Sequence, residues 1–283
     1  MMEDANTQSD IKRAPLLLVP WHGLLLAISF LTRLPLKTKY WDEQRVWGWS
    51  MAWYPLCGYL IGALAVAPMI VVANFLPPVS SLPLLFLSSL YYLAALEWLT
   101  RMLHFDGFCD CCDAFSSMAS TPEKRREIMK DPHVGSTAVG CAVLLIVAKA
   151  FTLNLIIYNA SLRFKSTLPI ILLLILAPGL ARFAMLCLAS IGRYPREAGT
   201  GLRVVGRVPW YSLLIAACFL APLFLVFDWK GGAACFFFTA FVVFYWKIKA
   251  DAKIGGVTGD VLGACLETAE LAAITAILLA ITI

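Results

Sequence analysis

The stretch "LLFLSSLYYLAALEWLTRMLHFDGFCDCCDAF", residues 84–115, changes character halfway. Up to Leu99 it carries one charge, Glu97; from His104 to Asp113 it holds a histidine and three aspartates. The first half is an apolar run of the length that crosses a bilayer. Similar runs recur along the chain. Of its 283 residues 60% are hydrophobic and only 14% charged, with a mean hydropathy of +0.79, whereas soluble domains carry roughly a quarter charged residues. The runs are continuous rather than alternating, which excludes a transmembrane β-barrel. The fold class is therefore all-α, a polytopic membrane helical bundle. Seven spans are expected, near 50–75, 80–103, 137–160, 167–190, 210–228, 231–248 and 262–283. Residues 16–34 form an additional N-terminal helix, interfacial or spanning. A polar tail, 1–15, precedes a single membrane-embedded domain, 16–283, with no internal repeat. Lys12 and Arg13 before residues 16–34 imitate a secretory signal. The ending "FLTRLP", 30–35, instead marks an uncleaved helix. Pro55, Pro68 and Pro178 fall inside spans, where neighbouring helices must satisfy the carbonyls that proline frees.

The charges are one-sided. Three of the 23 lysines and arginines lie in spans: Arg101, Lys149 and Arg182. Fifteen lie in the loops 33–49, 104–136, 191–209 and 247–261, and five on the opposite side. The positive-inside rule places the fifteen-charge face in the cytoplasm. The net charge of +5 is accounted for by these loops. No basic run interleaves with aromatics, so nucleic acid is not an expected partner. The nine cysteines are odd in number and irregularly spaced, which excludes a disulfide framework and fits a reduced, cytosol-facing environment. Cys109, Cys111 and Cys112 lack the paired spacing of a structural zinc site.

On a helix, Asp110 lies about 40° from Asp106 and Asp113 about 20° to the other side, so three carboxylates share an arc of about 60°. Three unpaired carboxylates so close raise one another's pKa, and a divalent cation relieves the strain. Hard oxygen ligands suit Mg²⁺ or Mn²⁺, and Mg²⁺ commonly bridges to substrate phosphates. The pattern at a membrane surface points to pyrophosphate chemistry, with Asp106, Asp110 and Asp113 as metal ligands. His104 lies about 160° from Asp106 on the same wheel; it is a candidate phosphate contact, aspartate partner or cap.

Three more stretches crowd the same face. In "KRREIMKDPHVGS", 124–136, the pair Lys130 and Asp131 leads into Gly135 at the mouth of a span, and glycine lets backbone approach phosphate closely. "GRYPREAGTGLR", 192–203, offers three arginines, Arg203 among them, and two loop glycines for an anionic group. "GGVTGDVLGACLETAEL", 255–271, places Gly255, Gly256, Thr258, Gly259 and Asp260 in a tight turn before the last helix. Glu267 and Glu270 follow inside that helix, where carboxylates are costly and usually functional. Lys149 and Arg182 are costly for the same reason. Each is expected to meet a carboxylate or a substrate phosphate, with Glu97, Glu267 and Glu270 available and Glu97 in i,i+4 reach of Arg101.

Together these residues resemble the cobalamin synthase family of adenosylcobinamide-GDP ribazoletransferases, from about Phe30 to Glu270. "FLTRLP", with Arg33, is similar to the family's N-terminal motif. "HFDGFCDCCDAF" resembles its HLDGLADTxDG, "EIMKDPHVGS" its EIMKDSRxGT, and the 255–271 stretch its GGxTGDxxGAxxExxEL. Lys149 and Arg182 match its intramembrane basic positions. Departures are Arg101 and Met102 where glycines usually precede the histidine, Pro132 and His133 for a Ser-Arg pair, and Ala114 for a frequent glycine. The lost arginine leaves a phosphate contact to Arg101, Lys130 or Arg203. The resemblance implies transfer of adenosylcobinamide phosphate from adenosylcobinamide-GDP to α-ribazole or its 5′-phosphate. The products are GMP and adenosylcobalamin or its 5′-phosphate, and Mg²⁺ assists. It also implies His104, Asp106, Asp110 and Asp113 as catalytic residues, in a prokaryotic cell membrane with a cytoplasmic active face. Arg33, Lys130, Asp131, Gly135, Lys149, Arg182, Arg203, Gly255, Gly256, Thr258, Gly259, Asp260 and Glu267 would bind substrate. The lipid bilayer is a partner, and assembly into a homo-oligomer is left open.

Two rival readings are weaker. CDP-alcohol phosphotransferases also use spaced membrane aspartates, but at longer spacing than "DGFCDCCD". A secondary transporter would put its charges near the midplane with repeat symmetry, whereas the polar clusters here crowd one face.

Overall fold

A computed structural model describes residues 13–75, 82–163, 166–226 and 229–282. Residues 1–12 of the expected tail lie outside these, as do parts of the loops 74–79, 161–166 and 228–231. Among the described residues the regular elements are helices. A 3₁₀ turn, Leu16–Leu18, leads into α1 (Val19–Leu31) and α2 (Gln44–Ala52). There follow α3 (Tyr54–Phe75), α4 (Leu82–Leu99), α5 (Leu103–Ser116) and α6 (Pro122–Ile128). The long α7 (Ser136–Arg163) and α8 (Leu168–Ile191) come next, then α9 (Trp210–Cys218), α10 (Leu223–Val226), α11 (Trp229–Ile254) and α12 (Gly259–Thr282).

Four helices, α7, α8, α11 and α12, are long and apolar enough to cross a membrane. A fifth span is available if α2 and Tyr54–Ile70, bent by 56° at their junction, count together. The expected count of seven is thus not reached among the described residues. Of the expected span 210–228, the described residues 210–226 do not form one continuous helix. Pro222 has no N–H to continue the helix, and Leu220, Ala221 and Leu223 donate instead to carbonyls three residues back, at 2.9, 3.1 and 3.0 Å. The pieces α9 and α10 result. Helix α1 has 13 residues, about 20 Å at 1.5 Å per residue. That is short of a hydrocarbon core of about 30 Å.

Small residues set the packing, as they do where lipid removes the hydrophobic drive between helices. A Cβ on Gly58 of α3 would fall 2.5 Å from the Pro178 carbonyl oxygen of α8. Pro178 itself frees the Leu174 carbonyl, and the buried Tyr92 hydroxyl of α4 donates to it at 2.5 Å, the rescue that membrane proline requires. Helix α12 lies at the centre, packed on α5, α7, α8 and α11.

The expected span 80–103 stops at Leu99. Arg101 and Met102 take left-handed backbone angles, φ 60° and 56°, and redirect the chain into α5. Met102 N–H donates to the Glu97 carbonyl at 2.8 Å, and the Arg101 guanidinium donates to the Ser29 and Phe30 carbonyls at 3.1 and 3.2 Å. Arg101 therefore ties the turn to α1, and the i,i+4 pair with Glu97 does not form. The resemblance expects glycine at these positions, and a left-handed backbone is what glycine adopts without Cβ strain. Met102 is half exposed, so Met102→Gly should raise stability by about 1 kcal/mol. Thermal unfolding in detergent measures this; a lower melting temperature would contradict the strain.

Candidate active site

The amphipathic α5 is laid against the start of α12 by two glycines. A Cβ on Gly107 would sit 2.8 Å from the Asp260 Cα, and one on Gly263 2.8 Å from the His104 carbonyl oxygen. This close approach brings Asp106 and Asp110 beside Asp260. Across from them Arg196, in the 192–203 loop, reaches Asp260 Oδ2 at 3.3 Å. Burial, followed by the charges of Asp106, Asp260 and Asp113, pushes the Asp110 carboxyl up to about 7. One arginine does not balance this set, and a hard divalent cation fits it by charge and donor type.

The turn before α12 is built from the expected glycines. Gly255 and Gly256 have φ of 79° and 154°. A Cβ on Gly256 would meet the Arg193 carbonyl oxygen at 2.2 Å, and Val257 N–H donates to that same oxygen at 2.8 Å. Thr258 Oγ1 donates to Asp260 Oδ2 at 3.2 Å. Arg126 donates to the Ile254 carbonyl at 2.7 Å, so the 104–136, 191–209 and 247–261 loops meet. Loop 33–49 joins them through Arg203, which bonds the Asp42 carbonyl and carboxylate at 2.9 and 3.0 Å.

A cavity of about 530 Å³ opens beside Asp106, Gly259 and Asp260. Its wall is apolar and aromatic, with Phe30, Trp41, Tyr54, Met185 and Leu262; Arg101 also borders it. His104 is buried in that wall, and its Nε2 has no hydrogen-bond partner. Burial, followed by the Arg182 charge, holds its pKa down to about 3. The imidazole is thus neutral at physiological pH.

Other expected site residues lie elsewhere. Lys149 donates to Glu267 at 2.5 Å and to Glu270 at 2.9 Å, and Arg182 donates to Glu270 at 3.0 Å. All four are buried. Glu97, Glu267 and Glu270 bring carboxylate oxygens within 4.8 Å of one another. Among the described residues they are the sole cluster of three or more such side chains that close; no three of Asp106, Asp110, Asp113 and Asp260 form one. Arg33 bonds the Trp98 carbonyl and stacks 4.2 Å over the Trp98 ring. Lys130 and Asp131 are exposed, and Asp131 is engaged by His133 at 2.6 Å. Asp113 turns to the start of α7: its Oδ2 accepts from Gly135 N–H at 2.6 Å and its Oδ1 from Ala138 N–H at 2.8 Å. Arg196 and Tyr54 were not singled out from sequence. The position of Arg196 just before the Gly199–Gly201 turn was the available signal, and Tyr54 had none.

Lys149→Met strands Glu267 without its buried cation, leaves Glu270 to Arg182 alone, and should cost about 3–5 kcal/mol, partly restored by adding Glu267→Gln. Unfolding of detergent-solubilised variants decides; a parent-like Lys149→Met would contradict the network. Asp110, raised from 3.8 to about 7, binds its proton more tightly folded than unfolded. In EDTA its ionisation therefore costs stability progressively as pH rises from about 4 to 7. Asp110→Asn should melt above the parent at pH 8, and the gap should shrink toward pH 5.

The family model described as cobalamin-5-phosphate synthase matches residues 23–278. A protein of Prosthecochloris aestuarii named adenosylcobinamide-GDP ribazoletransferase is 35% identical, over 88% of this chain and 94% of its own. Proteins of the same name from Geobacillus sp. and Pseudomonas aeruginosa are each 32% identical, covering 88% and 91% of this chain and 92% and 98% of theirs. No solved structure matches the chain.

Proposed function

The chain belongs to the cobalamin-5-phosphate synthase family, and we propose that its cleft carries out the reaction for which its relatives are named. It is an adenosylcobinamide-GDP ribazoletransferase of the last steps of cobalamin biosynthesis. It moves adenosylcobinamide phosphate onto a ribose hydroxyl of α-ribazole or of its 5′-phosphate, a hydroxyl other than the 5′ one that the phosphate form already carries esterified, with GMP leaving. The observation that carries this reading is that Asp106 and Asp260 border an apolar cavity, with Arg196 paired to Asp260 and Asp110 within electrostatic reach of both aspartates. That is an anion-handling centre beside a nucleoside-sized recess.

Asp106 and Asp110, with Asp260 from the other end of the chain, would hold Mg²⁺. Bound there, the ion would neutralise charge on the pyrophosphate and orient it for in-line displacement. The Thr258–Gly259 backbone at the start of α12 and the Arg196 guanidinium would hold the departing phosphate. The cavity wall favours the acceptor base. A base with few polar groups would suit the side of the wall formed by Phe30, Met185 and Leu262. His104, neutral and with Nε2 open, can accept a hydrogen bond from the attacking hydroxyl and aim it. A corrinoid is far larger than 530 Å³ and remains outside, against the membrane surface. The excess of lysine and arginine on these loops supports a cytoplasmic active face in the cell membrane.

Purified protein should release GMP from adenosylcobinamide-GDP only with α-ribazole or its phosphate present. Asp106→Asn should lower turnover at least a hundredfold at low Mg²⁺ and recover in part as Mg²⁺ rises. GMP release that ignores both the acceptor and Asp106 would overturn the assignment.

A further inference from the structure

The third aspartate of the acidic stretch does something different from its neighbours. The described first turn of α7 contains no acidic residue. Gly135 occupies its cap position, accepting from Val139 N–H at 3.2 Å, yet glycine has no side chain with which to cap. Helix starts leave backbone N–H groups unsatisfied and carry partial positive charge. Asp113 fills both needs from another helix, with one oxygen on Gly135 N–H and the other on Ala138 N–H, at 2.6 and 2.8 Å. The fit is close: a Cβ at position 135 would lie 2.6 Å from Asp113 Oδ1. Glycine is thus required at 135 for the carboxylate to reach both amides.

We propose that Asp113 is a positioning residue that caps α7 across the α5–α7 interface, rather than a ligand of the divalent cation. This rests on the cation reading given above for Asp106 and Asp110. The two N–H bonds fix the Asp113 carboxylate on the start of α7, and its oxygens form no close cluster with those of Asp106 and Asp110. Its effect on the reaction passes through geometry: it pins the C-terminal turn of α5 to α7, three residues after Asp110. The same bonds explain why "Asp-x3-Asp-x2-Asp" need not bind as a unit.

The test compares Asp113→Asn, Asp113→Leu and Asp106→Asn in the full-length protein in detergent. Melting temperature in EDTA reports the cap without any metal. Asparagine keeps one acceptor and leucine none, so the melting temperature should fall by about 3 °C or more for leucine and less for asparagine. The Mg²⁺ concentration for half-maximal GMP release should stay within about twofold of the parent in both, while kcat falls, less in asparagine. Asp106→Asn should do the reverse, raising the Mg²⁺ requirement about tenfold or more at a parent-like melting temperature. Gly135→Ala should lower the melting temperature in the parent and much less in Asp113→Leu, because the clash needs the carboxylate. A tenfold higher Mg²⁺ requirement in Asp113→Asn at unchanged melting temperature would overturn the proposal, as would an EDTA melting temperature indifferent to Asp113→Leu. Should the parent release GMP without Mg²⁺, the cation reading fails, and the EDTA series still decides whether Asp113 caps α7.

Discussion

The contact on which the rest depends is the close crossing of α5 and α12, made possible by Gly107 and Gly263. Backbone meets backbone there, with no room for a side chain between. One consequence is chemical: Asp106 and Asp110, from the first half of the chain, stand beside Asp260 from its last quarter. Another is that His104 is buried against α12 in the cavity wall with an unspent ring nitrogen. A larger residue at either glycine would separate the acids and open the wall at once.

Below the site the same central helix carries Glu267 and Glu270, which Lys149 and Arg182 meet from α7 and α8. Charges in a membrane interior are tolerated when they find partners, and these four join three helices into one unit. Their value lies in specifying which helices pack together more than in raw stability, since burying ions costs much of what pairing returns. His104 is held neutral first by burial; Arg182 and Lys149 add to that effect and Glu270 opposes it.

Much of this was legible in the sequence. Apolar runs and the one-sided lysines and arginines gave the helical class and the shared face, and the loops on that face do touch. The positions of Asp106, Asp260 and the glycine turn follow from local motifs. What stayed hidden depends on distant partners. Helical spacing puts Asp113 on the same arc as Asp106 and Asp110, but the start of α7 supplies amides that draw it elsewhere. Likewise, Arg33 and Arg203 look like free anion binders until Trp98 and Asp42 appear opposite them. The breaks at Arg101–Met102 and at Pro222 fall within apolar runs, where hydropathy is blind to backbone direction.

Helix α5 shows how a short element is held where the bilayer cannot hold it. At 14 residues it spans about 21 Å, too little to be anchored by crossing hydrocarbon. Its position must come from its ends and its crossing. At the N-terminal end, two left-handed residues turn the chain and the Arg101 guanidinium grips the α1 carbonyls. At the C-terminal end, the Asp113 carboxylate holds the amides of α7. Between them, Gly107 lets the helix lie against Asp260. The acids of the site are therefore located by three local constraints on one helix, each drawing on a different part of the chain. Loosening any one would shift Asp106 and Asp110 relative to Asp260 without unfolding the spans that carry them.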